Sequence, residues 1–320
     1  MDIDLLVLSH ADNDHLKGLA PIIKHPRIHV RRVIHNGIVT LSDKSPGTSL
    51  GELSPDKKYL LTRHDSLDDL AGLALSETFE SWREALAGEG VRYGAVDSTT
   101  GSIDVGDPEV VLEVLGPRLD VYEGKSAYRW FGGEGPTING HSVTLKLTYG
   151  GVSALFPGDL NCEGEKNLIS DASIARKLNA HVFKAPHHGS HDYYLPFLKT
   201  VRPQISVISS GDDPDYGHPR AVFIGAAGSV SRSAGPLIFA VKIAANFIEA
   251  VDKGKPSPHA KLDKLDPLAP DSDSQAKILY KRRLHGMINV RTDGKNLFAA
   301  RRVMGANPWE SYGPLPPSED

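Results

Sequence analysis

Imidazole and carboxylate groups recur at four places in the 320-residue chain where an apolar run gives way to polar residues. His10, Asp12, Asp14 and His15 form the first group, Asp159 the second, the adjacent His187 and His188 the third, and His218 the fourth. These side-chain types hold zinc, manganese or iron, and a catalytic metal site keeps one position open for water. The spacing His-x-Asp-x-Asp-His places four potential ligands on six residues. One ion cannot easily use them all, but two ions about 3.5–4 Å apart can share them. An isolated aspartate behind a glycine, as Asp159 follows Gly158, suits a bridge between two cations, since each charge then stabilises the other. The chemistry expected is hydrolysis by a metal-activated water. Asp14 lies at the centre of that scheme, and His218 donates a hydrogen bond or proton to the leaving group.

Structural explanations compete at each position. Capping of a helix that begins near Leu16 accounts for Asp14 but not for the whole cluster. A Gly-Asp turn accounts for Asp159 taken alone, and a turn before Pro219 accounts for His218. One of His187 and His188 is expected to bind metal, with the choice between them open. His25, His29, His35, His64, His181, His191, His259 and His285 are read as ordinary packed or surface histidines.

The elements that must position these groups follow from apolar patterning. Residues 4–8 form a short apolar run of the kind buried on both faces of a sheet, ending at Ser9 and His10. Leu16, Leu19, Ala20 and Ile23 recur at helical spacing before Pro26, which puts the first cluster on a strand-to-helix loop. Residues 28–34 read as a strand, 66–88 as a long helix and 109–115 as a strand, with loops at 40–57 and 118–141. Residues 142–149 and 152–156 read as a hairpin about Gly150 and Gly151, leading to Gly158 and Asp159. A helix to about residue 178, a strand at 181–184, a helix at 195–201 and a strand at 205–209 follow. Beyond Pro219 the pattern is helical to about residue 251. Residues 253–275 are Pro-rich and charged, as in a linker or insertion, and 287–291 with 296–301 read as a hairpin. One hydrolase domain is expected over residues 1–303, with a flexible tail at 304–320.

Composition narrows the classes. Apolar residues make up 40% of the chain, which excludes a disordered or fibrous protein. A net charge of −4 provides no global field to hold a polyanion, so any nucleic-acid contact must be local. Arg27, Arg31 and Arg32, Lys281 to Arg283, and Arg301 with Arg302 are the basic groups that could line a phosphate backbone. The single cysteine, Cys162, rules out an internal disulfide. No membrane span or signal peptide is visible, and a cytoplasmic location is expected.

The chain resembles the metallo-β-lactamase fold family through Ser9-His10-Ala11-Asp12-Asn13-Asp14-His15 and Phe156-Pro157-Gly158-Asp159. Within it, the chain is most similar to the hydrolase domain of ComEC competence proteins. That likeness rests on Lys184-Ala185-Pro186-His187-His188-Gly189-Ser190, Tyr216-Gly217-His218-Pro219 and Gly286-Met287-Ile288-Asn289-Val290. The resemblance implies an α/β (α+β) fold, a four-layer αβ/βα sandwich with metals at one edge of two facing sheets. It implies two divalent ions, zinc or manganese, held by His10, Asp12, Asp14, His15, Asp159 and His187 or His188. It also implies a phosphodiesterase or nuclease acting on DNA, although relatives of the fold cleave lactones and other small esters. Aspartate stands at Asp12 where the common motif has histidine, and this harder ligand shifts the expected ions from two zincs toward manganese or a mixed site. Ser190 and Asn139 are expected to position substrate. His141 lies near the place of a further family histidine and is a candidate for substrate or metal. Family members carry strands before the one that feeds the motif. The sheet is therefore expected to be amino-terminally incomplete, covered either by a missing segment or by a partner chain.

Overall fold

The computed structural model describes residues 1–44, 47–210, 217–241, 251–252, 255–256, 287–302 and 309–317. The chain divides into two compact units. The first comprises Met1–Thr148, Ser153–Asn179 and Asp192–Val201; the second comprises Tyr149–Val152, Ala180–His191 and Arg202–Asp320.

In the first unit the opening apolar run is extended, as its composition requires. Leu6–Val7 pairs in parallel with Arg32–His35, and that strand pairs in parallel with Arg92–Ala95. Val33 and Ile34 are fully buried, as expected for a central parallel strand covered on both faces. The Leu8 amide still donates to the Ile34 carbonyl at 2.9 Å, so the chain is held to the sheet up to Ser9 and His10. The helical pattern that follows is split into Asn13–Leu16 and Leu19–Ile23. Pro21 has no N–H to donate to the carbonyl four residues earlier, and a single helix cannot run through.

The long helix spans Glu77–Glu89 and begins later than its composition suggested. Asp68–Leu70 forms only a 3-10 turn, and Leu75 bridges to Leu41. Phe79, Trp82 and Leu86 lie on one face at i, i+3 and i+7 and are wholly buried among Leu16, Val33, Leu60 and Tyr128. Each such side chain contributes roughly 2–3 kcal/mol by leaving water. A second sheet in this unit places Gly101–Ile103, Val110–Gly116, Thr144–Tyr149 and Val152–Phe156 side by side. The segment 118–141, expected as a loop, is structured. Asp120–Tyr122 and Lys125–Arg129 form a hairpin whose other edge pairs with Tyr59–Leu60, and Glu134–Gly140 is a helix. Strands this short are too brief to show a repeat in sequence.

In the second unit Val182–Lys184, Ile205–Ile208 and Leu237–Ala240 form a parallel set in that order. The helix Ala221–Ser229 ends well before residue 251, because the Ser- and Gly-containing stretch 231–235 interrupts it and Leu237–Ala240 joins the sheet. Ile288–Thr292 and Leu297–Arg302 form the expected hairpin. The tail expected to stay apart from the core instead supplies a third strand, Trp309–Leu315, antiparallel to Leu297–Arg302. Tyr312 meets Phe239 edge-on at 5.3 Å, and Gln204 Nε2 donates to the Pro316 carbonyl at 3.0 Å, which ties this strand down. Two turns meet backbone to backbone: Gly151 N–H donates to the Gly294 carbonyl at 2.8 Å, and a Cβ on Gly150 would lie 2.5 Å from that oxygen. The expected linker at 253–275 falls outside the described residues, apart from 255–256. Among the described residues no helix is long and apolar enough to cross a membrane.

Buried histidines make the fold acid-sensitive, His35 more than His141. His35 is fully buried, accepts the Gly37 N–H at Nδ1 (2.9 Å) and stacks on Tyr93 at 4.1 Å. Burial, with His64 and Arg63 nearby, pushes its pKa down to about 3. The unfolded ring takes up a proton below about 6.5 while the folded one stays neutral. The stability it contributes is therefore complete above that pH and lost as pH falls toward the folded value. Urea unfolding between pH 6.5 and 4.5 is expected to show a loss of about 1.4 kcal/mol per pH unit from this group, a slope that His35→Gln removes.

Candidate metal centre

The first cluster sits where the opening strand leaves the sheet. Asp12 occupies the position preceding helix Asn13–Leu16, yet its side chain makes no capping hydrogen bond, and Asp14 lies in the first turn. Capping therefore does not explain these carboxylates. His15 Nε2 lies 3.2 Å from Asp159 Oδ2 and 3.6 Å from Asp14 Oδ2, and one ligand atom from each of the three residues falls within 4.8 Å of the others. His10 Nε2 lies 3.9 Å from Asp12 Oδ2, and the His10 and His15 rings are 4.1 Å apart. All five residues belong to the first unit.

Burial differs across the group in a way that suits a site open on one side. His10 and Asp159 are 1% and 2% exposed, Asp12 and His15 are half-buried, and Asp14 faces solvent. Burial raises the Asp12 pKa to about 6, and the charges of Asp14 and Asp159 push in the same direction against the attraction of His15. Oxygen-rich clusters of this kind suit magnesium, manganese or a mixed pair, and a bound cation would favour the charged form of the buried Asp12 carboxyl.

Two serines and a glycine position these side chains. Ser9 Oγ lies 2.9 Å from His10 Nδ1 and 3.2 Å from His15 Nδ1. Ser142 Oγ accepts the Asp159 N–H at 3.0 Å, and the Ser9 carbonyl accepts the Val143 N–H at 2.8 Å. Gly158 has φ +60, and a Cβ there would lie 2.6 Å from Ser142 Cβ and 3.1 Å from Ser9 Cβ. Neither serine stands out as functional in the sequence. Ser9 carried a signal, a hydroxyl directly before the first histidine at a strand end. Ser142 reaches Asp159 only through the fold.

Asn139 and His141 close the same unit. Asn139 lies in the last turn of helix Glu134–Gly140, and its buried Oδ1 has no hydrogen-bond partner. His141 is fully buried, donates from Nε2 to the Arg129 carbonyl at 2.8 Å and stacks on Phe131 at 4.9 Å. Burial pushes its pKa down to about 4, and the ring is built into the packing.

In the second unit His187 and His188 follow strand Val182–Lys184 with φ of 43° and 53°, in the left-handed region, at a cost of roughly 1–2 kcal/mol each. His188 Nδ1 donates to the Ser209 carbonyl at 2.7 Å, so the neutral ring keeps its lone pair on Nε2. His218 lies with its ring 5.7 Å from His187 and 6.4 Å from His188. Partial burial, the two neighbouring imidazoles, Arg220 and His191 lower its pKa to about 4, so this ring is neutral at pH 7. Ser190 is buried, and its N–H donates to the His187 carbonyl. Two members of the expected basic lining are engaged with nearby acids: Arg31 pairs with Asp2 and Asp4, and Arg301 with Glu310. Residues 281–283 lie outside the described residues.

Residues 1–211 match the metallo-beta-lactamase superfamily, and the chain belongs to it. The mixed α/β architecture agrees with the sandwich fold of that family. Among curated proteins the chain is similar to ComE operon protein 3 of Bacillus subtilis, with 26% identity over 218 residues, 68% of this chain and 21% of that protein. It is also similar to competence protein ComA of Neisseria gonorrhoeae, with 37% identity over 82 residues, 25% of this chain and 12% of that protein. The matches thus span a minor part of each relative's length.

Gly158→Ala tests the packing behind the cluster. The added Cβ meets two serines while the backbone stays in a strained region, so a loss of roughly 1–3 kcal/mol in urea unfolding is expected.

Proposed function

We propose that this chain is a metal-dependent phosphodiesterase, with a DNA strand as the favoured substrate. The observation that carries this reading is the convergence of Asp14, His15 and Asp159, with Asp12 adding a further carboxylate beside them. The proposed ligands are His10, Asp12, Asp14, His15 and Asp159, with His187 or His188 added from the sequence motif. When bound, two divalent ions, manganese or zinc, supply an acidified water as nucleophile and an electrophile for an oxygen of the scissile bond.

The chain's own groups do the rest. His10 and His15 keep fixed orientations through Ser9, and Ser142 holds the backbone of Asp159. Asp14, the most exposed carboxylate of the set, faces the side from which substrate and water arrive. His218 donates a hydrogen bond to the leaving group or to a phosphate oxygen, and Ser190 and Asn139 position the substrate. The similarity to ComE operon protein 3 and the resemblance to ComEC hydrolase domains support a nucleic-acid substrate. The net charge of −4 and the internally paired Arg31 and Arg301 favour a second reading, a small ester or lactone hydrolase.

Purified protein with manganese is expected to degrade single-stranded DNA. Asp14→Ala should lower that rate at least about 100-fold and remove close to one equivalent of metal, read by elemental analysis. Intact DNA across several metals, with turnover of nitrophenyl esters instead, would select the second reading. Cation binding near pH 6 is expected to release a proton from Asp12 that is not released at pH 8, since the carboxyl is half protonated at the lower pH. Calorimetry in buffers of different ionisation enthalpy measures this difference.

A further inference from the structure

Ser9 makes an unusual set of contacts. Its single hydroxyl reaches Nδ1 of two imidazoles, His10 at 2.9 Å and His15 at 3.2 Å. The opposite nitrogen of each ring faces carboxylates: His10 Nε2 faces Asp12, and His15 Nε2 faces Asp159 and Asp14. A serine hydroxyl has one proton and two lone pairs. It can donate to at most one of the two rings. A neutral ring that accepts this proton at Nδ1 must carry its own proton on Nε2, the nitrogen turned toward the carboxylates. A ring that donates Nδ1–H to the serine oxygen presents a lone pair there instead.

We propose that Ser9 sets the tautomer of both histidines, accepting Nδ1–H from each so that both Nε2 atoms ligate divalent metal. This rests on the metal reading given above and assigns Ser9 as a positioning residue that touches neither metal nor substrate. The hydroxyl is held for the task by its own backbone, since its carbonyl accepts the Val143 N–H at 2.8 Å. Gly158 packs against its Cβ side, where a side chain at 158 would fall 3.1 Å from Ser9 Cβ. The position of the oxygen is thereby fixed between the two rings. Hydrogen-bond partners behind a ligating histidine typically account for 10–100-fold in metal affinity.

The test uses the full chain loaded with zinc, which is diamagnetic. Long-range proton–nitrogen correlation spectra are expected to show His10 and His15 both protonated at Nδ1 with Nε2 coordinated. Ser9→Ala should weaken zinc binding about 10–100-fold in competition with a chromophoric chelator and alter the Nδ1 signals of both rings, with an unchanged far-ultraviolet circular dichroism spectrum. A zinc-loaded wild type in which either ring carries its proton on Nε2 overturns the proposal, as does a Ser9→Ala affinity equal to wild type. Wild-type protein that binds no zinc, manganese or cadmium overturns the metal reading itself, which separates the two failures.

Discussion

Mutual repulsion among carboxylates is the constraint around which the first unit is organised. Asp14 and Asp159 bring ligand oxygens within 4.8 Å of each other, and Asp12 feels both charges. Two like charges about 4 Å apart repel by about 4 kcal/mol at an effective dielectric near 20. A protein gains nothing in stability from such an arrangement unless a cation joins it. Half-burial sharpens the conflict, because the solvent that would screen these groups is partly excluded. The chain leaving the parallel strand at Ser9, the cramped turn at Gly158 and the Ser142 hydroxyl all hold these acids near one another.

The donor set also limits what the centre can prefer. Three carboxylates against two imidazoles in this unit make it richer in oxygen than a structural zinc site, where thiolates and imidazoles dominate. Exposure of Asp14 beside buried Asp159 gives the cluster a wet side and a dry side. Such asymmetry suits hydrolysis, in which water and substrate enter from one direction while the ligands behind stay rigid.

Much of this was legible because it is local. The first motif is contiguous, so its spacing could be read without knowing the fold, and Gly158-Asp159 stood at the end of an evident hairpin. What escaped the sequence depends on tertiary contact or on very short elements. Ser142 becomes meaningful only because residue 159 returns to it. The strands at 120–122 and 125–129 are too short to show a period. Trp309, Tyr312 and Leu315 recur every third residue and carry no strand period, and the segment became a strand because Leu297–Arg302 offered an edge to pair with. Arg31 and Arg301 looked like candidates for phosphate contact, but nearby acids that sequence distance does not reveal already neutralise them.

The meeting of the turns at Gly150 and Gly294 bears on how the chain acquires its structure. A ribosome delivers the first of these glycines long before the second, so during synthesis the earlier turn waits without the carbonyl that will cap it. Its hairpin leads directly into Gly158 and Asp159. The hairpin that runs on to Asp159 thus makes this backbone contact only once the carboxyl-terminal hairpin has been synthesised.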